Sequence, residues 1–317
     1  MIIDPRPPVQ ISSTRPGEGR TVSLLGVPLA YGCGRPGADL GPAVMRLARL
    51  GTRLGELGYT VRDMGDVVVP PESNEPQTLR NLSEIAGVCG EVAHAVRGML
   101  ERGEIPIVLG GDHSVALGTV SGVASYGRAC GLESGLIWFD AHADMNTPQT
   151  SPSGNVHGMP LAALLGRGHA DLTQMCGFGP KLQPQFCAHI GAREVDAGER
   201  ELIRELGVRF FTMRELDERG MASCVREAIA IASGAPGGYA VTFDVDAIDP
   251  HTAPGSGTLV RGGLTYREAH LALEIIAETG GMAALEISEV NAVLDVNNRT
   301  AELGVELILS ALGKTIL

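Results

Sequence analysis

The chain has 317 residues, 44% hydrophobic and 20% charged, which excludes a disordered chain and leaves room for one large domain or two small ones. A net charge of −12 argues against nucleic acid, whose non-specific binding relies on basic surface displacing phosphate counterions. No run approaches the roughly 20 apolar residues of a membrane span, and the six cysteines form no C-x-x-C pair, which leaves scattered thiols suited to a reducing cytoplasm.

Residues 1–20 (MIIDPRPPVQISSTRPGEGR) lack the apolar core of a signal peptide and read as a flexible arm. Residues 21–317 then alternate apolar runs with helical patterns. The first predicted strand is Thr21–Leu25, followed by a long helix at Thr78–Arg102 and strands at Ile105–Leu109, Leu136–Asp140 and Phe186–Ile190. Next come a helix at Ala197–Leu206, a strand at Val208–Phe211, a helix at Met213–Ala232 and a strand at Tyr239–Phe243. The chain closes with a helix at Thr265–Thr279, a strand at Met282–Ile287 and a helix at Arg299–Leu312. Near-continuous apolar strands separated by helices predict an α/β fold: a single doubly wound domain whose central, mostly parallel β-sheet is flanked by helices on both faces.

Ligands of such sheets sit beyond the carboxyl ends of the strands, and three of those ends carry the same residue types. Gly110-Gly111-Asp112-His113 follows Ile105–Leu109, Asp140-Ala141-His142-Ala143-Asp144 follows Trp138-Phe139, and Asp244-Val245-Asp246 follows Thr242-Phe243. Continued extended backbone would point residues i, i+2 and i+4 the same way, so Asp140, His142 and Asp144 would converge, as would Asp244 and Asp246. Four clustered carboxylates repel one another unless cations neutralise them, and two divalent ions balance four aspartates. His113 and His142 add one neutral nitrogen each. Carboxylate and imidazole donors without thiolate favour Mn²⁺ and leave iron, cobalt, nickel and zinc open. A lone D-V-D is more often a capped strand end, and a lone G-G-D-H a helix start; three such clusters after buried strands outweigh that bland reading. Hydrolysis is the implied class, because metals bring the pKa of water from 15.7 towards ~7.

At these residues the sequence resembles the ureohydrolase superfamily, and within it the arginase family. The matching segments are GGDHS (Gly110–Ser114), DAHADMNTP (Asp140–Pro148), SGNVHG (Ser153–Gly158), FDVDAIDP (Phe243–Pro250) and GGLTYREA (Gly262–Ala269). RPGADLGP (Arg35–Pro42), IGAREVDAGE (Ile190–Glu199), EISEVN (Glu286–Asn291) and RTAELGVELILSALGK (Arg299–Lys314) extend the resemblance over nearly everything after residue 34. It implies a three-layer sandwich of the arginase/deacetylase type and conversion of L-arginine and water to L-ornithine and urea through a metal-bridging hydroxide.

By that resemblance His113, Asp140, Asp144 and Asp244 hold one Mn²⁺, and Asp140, His142, Asp244 and Asp246 the other, with Asp140 and Asp244 bridging. Asp144 orients the hydroxide, Glu289 pairs with the guanidinium, and His157 passes a proton to the departing amine. Asn146, Ser153 and Asn155 match positions that meet the α-carboxylate, Asp196 and Glu199 those that meet the α-ammonium, and Thr258 a hydroxyl lining the pocket. Ala143, Met145 and Ala292 depart from the commonest family residues. The resemblance also implies a homo-oligomer, a hexamer or a trimer. Another guanidino substrate (agmatine, guanidinobutyrate or N-hydroxyarginine), or a non-catalytic homologue, are the competing readings at this point.

Overall fold

The computed structural model describes residues 16–72 and 79–315. Its eight strands form one sheet in the order β2-β1-β3-β8-β7-β4-β5-β6. They are β1 (Thr21–Gly26), β2 (Thr60–Asp66), β3 (Ile105–Leu109), β4 (Gly135–Phe139), β5 (Cys187–Ala192), β6 (Arg209–Thr212), β7 (Tyr239–Asp244) and β8 (Met282–Ser288). Every pairing is parallel. Strands β3, β4, β5 and β7 are buried along their whole length, which is why their sequences are near-continuous apolar runs, broken by His189 in β5 and Thr242 and Asp244 in β7.

Alternate side chains of these strands feed two cores. Ile107, Leu109, Ile137, Phe139, Val241, Phe243 and Ile287 face one side, with Phe139 and Phe243 stacked at 4.9 Å between ring centres. Helices α1 (Gly41–Leu47), α2 (Leu50–Glu56), α8 (Met213–Arg219), α9 (Met221–Ala232), α10 (Tyr266–Thr279) and α11 (Arg299–Ala311) cover that side. Val108, Leu136, Trp138, Ala240 and Ala284 face the other. There the cover is α3 (Leu82–Glu101), α4 (Ala116–Ala129), α5 (Pro160–Leu164), α6 (Ala170–Thr173) and α7 (Ala197–Leu206). The doubly wound α/β class is as predicted, and all the strands described are parallel.

Three features depart from the sequence reading. Strand β2 lies at the sheet edge with an almost wholly exposed pattern, so it carries no hydrophobic signal; its pairing with β1 and the fork of Arg46 onto Asp63 and Asp66 hold it. Helix α4 is buried at all but three positions, all in its last turn, and is rich in Gly, Ser and Ala, so no amphipathic stripe marks it. The helix expected at Met213–Ala232 is two, because Gly220 at φ 78° breaks the backbone between α8 and α9. Of the arm expected at 1–20, residues 1–15 lie outside the described residues. Pro16–Arg20 form a turn docked on the chain at 58–60, with the Thr60 N–H donating to the Arg20 carbonyl at 2.9 Å.

Candidate metal centre and active-site cleft

Strand β4 stops short of the D-x-H-x-D segment, and β7 ends on the first residue of D-x-D. β4 ends at Phe139 and β7 at Asp244, and Asp246 lies in a 3₁₀ turn, so extended alternation does not aim these side chains, contrary to the sequence expectation. A side-chain turn does. Asp140 Oδ1 accepts the His142 N–H at 2.7 Å, and Asp244 Oδ1 accepts the Asp246 N–H at 2.7 Å. Asp112 does the same for Ser114 at 3.0 Å. A short carboxylate that bonds its own backbone two residues on curls the chain just past the sheet. Asp144 then reaches the same centre by adopting φ 52°.

The result is a buried cluster. His113 Nδ1 lies 3.0 Å from Asp140 Oδ2, 3.1 Å from Asp144 Oδ2 and 3.4 Å from Asp244 Oδ2. His142 Nδ1 lies 3.1 Å from Asp246 Oδ2 and 3.4 Å from Asp140 Oδ1. Donor atoms of His113, Asp140 and Asp244 form one compact set, and those of Asp140, His142 and Asp246 a second, so Asp140 belongs to both. One imidazole N–H cannot satisfy three carboxylates, and Asp144 Oδ2 is buried without a hydrogen-bond partner. The donors therefore fit divalent cations.

The electrostatics agree. Burial, then the neighbouring Asp140 charge, pushes Asp144 up to about 7. Burial, then Asp246 and Asp140, raises Asp244; burial, then Asp140, raises Asp246. Such a site is short of positive charge. His113 Nε2 meets Thr242 Oγ1 at 2.9 Å, and that hydroxyl lies 3.3 Å from the buried Glu286. With Nε2–H donating along this chain, the Nδ1 lone pair is left for a cation. The Trp138 Nε1–H donates to Asp140 Oδ2 at 3.1 Å. Thr242, Glu286 and Trp138 were not singled out in the sequence. The one available signal was a lone acidic residue in the otherwise apolar run MAALEIS.

Beside the cluster opens a cleft with an inner lobe of about 170 Å³ and an outer lobe of about 480 Å³, both walled by His142, His157 and Thr258. His157 Nδ1 lies 3.0 Å from Glu289 Oε1, and that oxygen also accepts the His113 N–H at 3.0 Å. Burial opposes charge on His157, but Glu289 at that distance outweighs it and, with Asp112 and Asp144, pushes the ring up to about 9. Glu289 itself sits at φ 62°. Asp112, another residue the sequence reading passed over, anchors the loop opposite by accepting the Gly32 N–H at 2.8 Å. A Cβ at Gly32 would stand 2.7 Å from Asp112 Oδ1 and 3.1 Å from the His157 backbone nitrogen, so a larger residue there would have to displace the Asp112 carboxylate. Cys33, Arg35 and Glu194 also line the outer lobe.

The rim residues divide by what they touch. Asn146 and Asp196 line the inner lobe, where Asn146 Nδ2 donates to Asp196 Oδ2 at 2.9 Å; Asn155 lines the outer. Glu199 also reaches the inner wall, but its two oxygens accept the N–H groups of Met145 and Asp196 at 3.0 and 2.7 Å, which makes it a support for Asp196. Thr258 donates its hydroxyl to Asp246 at 2.9 Å. Ser153 is exposed, lines neither lobe, and accepts the Asn155 N–H at 3.2 Å. After Glu289, Asn291 Oδ1 accepts the N–H groups of Val293 and Leu294, so the turn forms with alanine at 292.

Comparison with known proteins matches the Arginase family over residues 20–313. The chain belongs to the arginase family. It is thereby a hydrolase of the amidinohydrolase type. Among its relatives in the family, the arginase of Bacillus caldovelox is 44% identical over 302 residues, covering 94% of this chain and 100% of the relative. The crystal structure of arginase from Bacillus subtilis strain 168 superposes with a TM-score of 0.88 at 43% identity, covering 94% of this chain and 100% of that one. Arginase from Entamoeba histolytica, solved in complex with L-ornithine, gives 0.86 at 28% identity, covering 94% and 99%.

Proposed function

We propose that this chain hydrolyses L-arginine to L-ornithine and urea as a binuclear manganese enzyme. The observation that carries the reading is the convergence of three buried carboxylates within 3.4 Å of His113 Nδ1, beside the His157–Glu289 pair. His113, Asp140, Asp144 and Asp244 would hold one ion and Asp140, His142, Asp244 and Asp246 the other; the thiolate-free donor set supports manganese. When bound, the ions acidify a water and neutralise the carboxylates.

The chain's own groups do the rest. Glu289 Oε2 is turned towards Gly257 on the cleft wall, where a planar guanidinium can donate a pair of parallel N–H bonds to the carboxylate. Asp144, on the inner wall, orients the attacking water towards the guanidinium carbon. His157, held protonated by Glu289, gives its proton to the departing amine as the C–N bond breaks. Asn146 and Asn155 offer amide donors to the α-carboxylate and Asp196 an acceptor to the α-ammonium. Ser153, Glu199 and Thr258 hold Asn155, Asp196 and Asp246 in place.

Urea release from L-arginine and from agmatine, measured side by side with Mn²⁺, tests this. A site built to bond a polar group rejects the analogue lacking it by about 10⁴-fold, and Asn155→Ala should erode that preference with metal content intact. Comparable efficiency on agmatine in the wild type would hand the site to another guanidino compound. The reading also includes a cytoplasmic enzyme assembled as a homohexamer, or a trimer. The six free cysteines support the compartment, and the exposed Leu47, Val293 and Val296 support association. Light scattering that returned an active monomer would overturn the assembly.

A further inference from the structure

A second cavity, of about 480 Å³, opens on the helical face that α3 and α4 share, and neither the cleft nor its chemistry uses it. On α3, Gly90, Ala93, His94 and Arg97 fall at positions i, i+3, i+4 and i+7, one face of the helix. On α4, Ser125, Arg128 and Ala129 fall at i, i+3 and i+4 and face them. The small residues make the space and the long cations border it. The segment Cys176–Phe178 closes the third side.

The charge of this cavity is the reverse of the molecule's. In a chain of net charge −12, Arg97 and Arg128 line it with His94, and among the described residues no carboxylate does. Arg97 uses its Nε on Glu101 at 2.8 Å and keeps its terminal nitrogens. Arg128 has no ion-pair partner among the described residues; its guanidinium lies 4.8 Å from the centre of the Phe178 ring, and the Lys181 ammonium lies 4.6 Å from the same centre. Two cations thus flank one phenyl ring: the Arg128 guanidinium from the cavity lining, and from outside it the Lys181 ammonium, which is already bonded to the Thr173 and Phe178 carbonyls. An independent observation points the same way. Ser125, 7% exposed, has a buried hydroxyl with no hydrogen-bond partner, and it lies in the wall of this cavity. A ligand oxygen meeting Ser125 would supply the partner this hydroxyl lacks.

We propose that this cavity binds a small anionic metabolite through a phosphate or carboxylate group, held in the forks of Arg97 and Arg128 and by the Ser125 hydroxyl. Guanidinium forks match both oxyanions, and the volume lies within the range of small-molecule sites. The site is separate from the catalytic cleft. Ser125 is 12 residues along from His113, about 18 Å at the helical rise.

The test is calorimetric titration of the Mn²⁺-loaded full chain with inorganic phosphate and, separately, with succinate. Saturable binding of one or both is expected, and the preferred arm identifies the group. Arg128→Met and the double variant Arg97→Gln/Arg128→Met should weaken it at least tenfold while urea release from arginine stays unchanged. Both side chains are at the surface, and retained activity in the variants reports a native fold. Phosphate could also reach the metal centre, but that binding would survive both variants. Binding of equal strength in wild type and double variant, or no saturable binding of either anion, would overturn the proposal.

Discussion

Asp144 and Glu289 share an unusual backbone state. Their φ values of 52° and 62° lie in the left-handed region, which costs an L-residue roughly 1–2 kcal/mol, and both side chains face the catalytic cleft. The strain is held by neighbours: the Glu289 N–H donates to the Gly111 carbonyl at 2.7 Å, and the Ala162 N–H to the Asp144 carbonyl at 3.2 Å. Nothing in the residue names D or E announces it. His157 could be chosen from the sequence because it stands in SGNVHG, but its charge comes from Glu289, 132 positions away. His157→Asn should therefore lower kcat by about 10²–10⁴-fold with both metals retained by elemental analysis; unchanged turnover would mean the ring merely packs. Thr242 and Glu286 act one step behind His113. Thr242→Val removes the hydroxyl that fixes the imidazole, and manganese affinity should fall about 10–100-fold with KM for arginine little moved, as read by metal titration and steady-state kinetics. Affinity equal to wild type would show that His113 needs no such support.

Between elements, the seam of α3 and α4 is a close constraint. A Cβ on Gly118 would stand 2.7 Å from the Cys89 carbonyl oxygen and from Val92 Cβ, and one on Gly122 would stand 2.7 Å from the Ala93 carbonyl and 2.8 Å from Val96 Cβ. The helices lie backbone to backbone there because both positions are glycine. Gly122→Ala relieves backbone entropy but must push α3 away. Overpacking of this kind costs about 1–3 kcal/mol, so a lower urea midpoint is expected, and a raised one would mean that the seam yields. The same packing hid α4 from sequence reading. Intrinsic propensity and an apolar stripe mark a helix that faces water on one side, and this one faces protein on nearly all sides. α10 was legible for the opposite reason: it keeps one face in water, and the structure adds a reciprocal cap between Thr265 and Glu268 at its start.

At the scale of the whole molecule, the fold is built around a charge problem. Asp112, Asp140, Asp144, Asp244 and Asp246 are all buried at one end of the sheet, with Glu289 beside them. Stripped of metal, the protein keeps Asp144 up at about 7 and Asp112 up at about 6, through burial and then the adjacent carboxylates Asp140 and Glu289 respectively. A carboxyl whose pKa is raised on folding gives stability that is present below its unfolded value, near 3.8, and lost as pH rises through the folded one. The chelated protein should therefore lose Tm as the pH rises from about 4 to about 7 on thermal scanning. Mn²⁺ should restore it most at the alkaline end, since a ligand that binds only the folded state stabilises it by mass action. A flat profile after chelation would contradict a site with unbalanced carboxylates.

The sequence by itself determined the sheet class, most of the strands and the acidic and histidine residues that gather past the strand ends. Buried parallel strands must be near-continuous apolar runs, and carboxylates placed just past several of them have no cheaper explanation than cations. Only the tertiary structure decided how those ligands are aimed, because curling by Asp140 and Asp244 onto their own backbone and the left-handed turn at Asp144 are local geometries that strand alternation does not contain. It also decided the edge strand β2, whose exposed residues are held by a neighbour and not by burial. Finally, it divided the rim residues: Asn146, Asn155 and Asp196 have side chains in the cleft wall, Glu199 and Thr258 reach it while bonded to Met145, Asp196 and Asp246, and Ser153 lies outside it on the Asn155 N–H. That division rests on which hydrogen bonds each side chain has already spent, and a hydrogen bond needs two partners brought together by the fold.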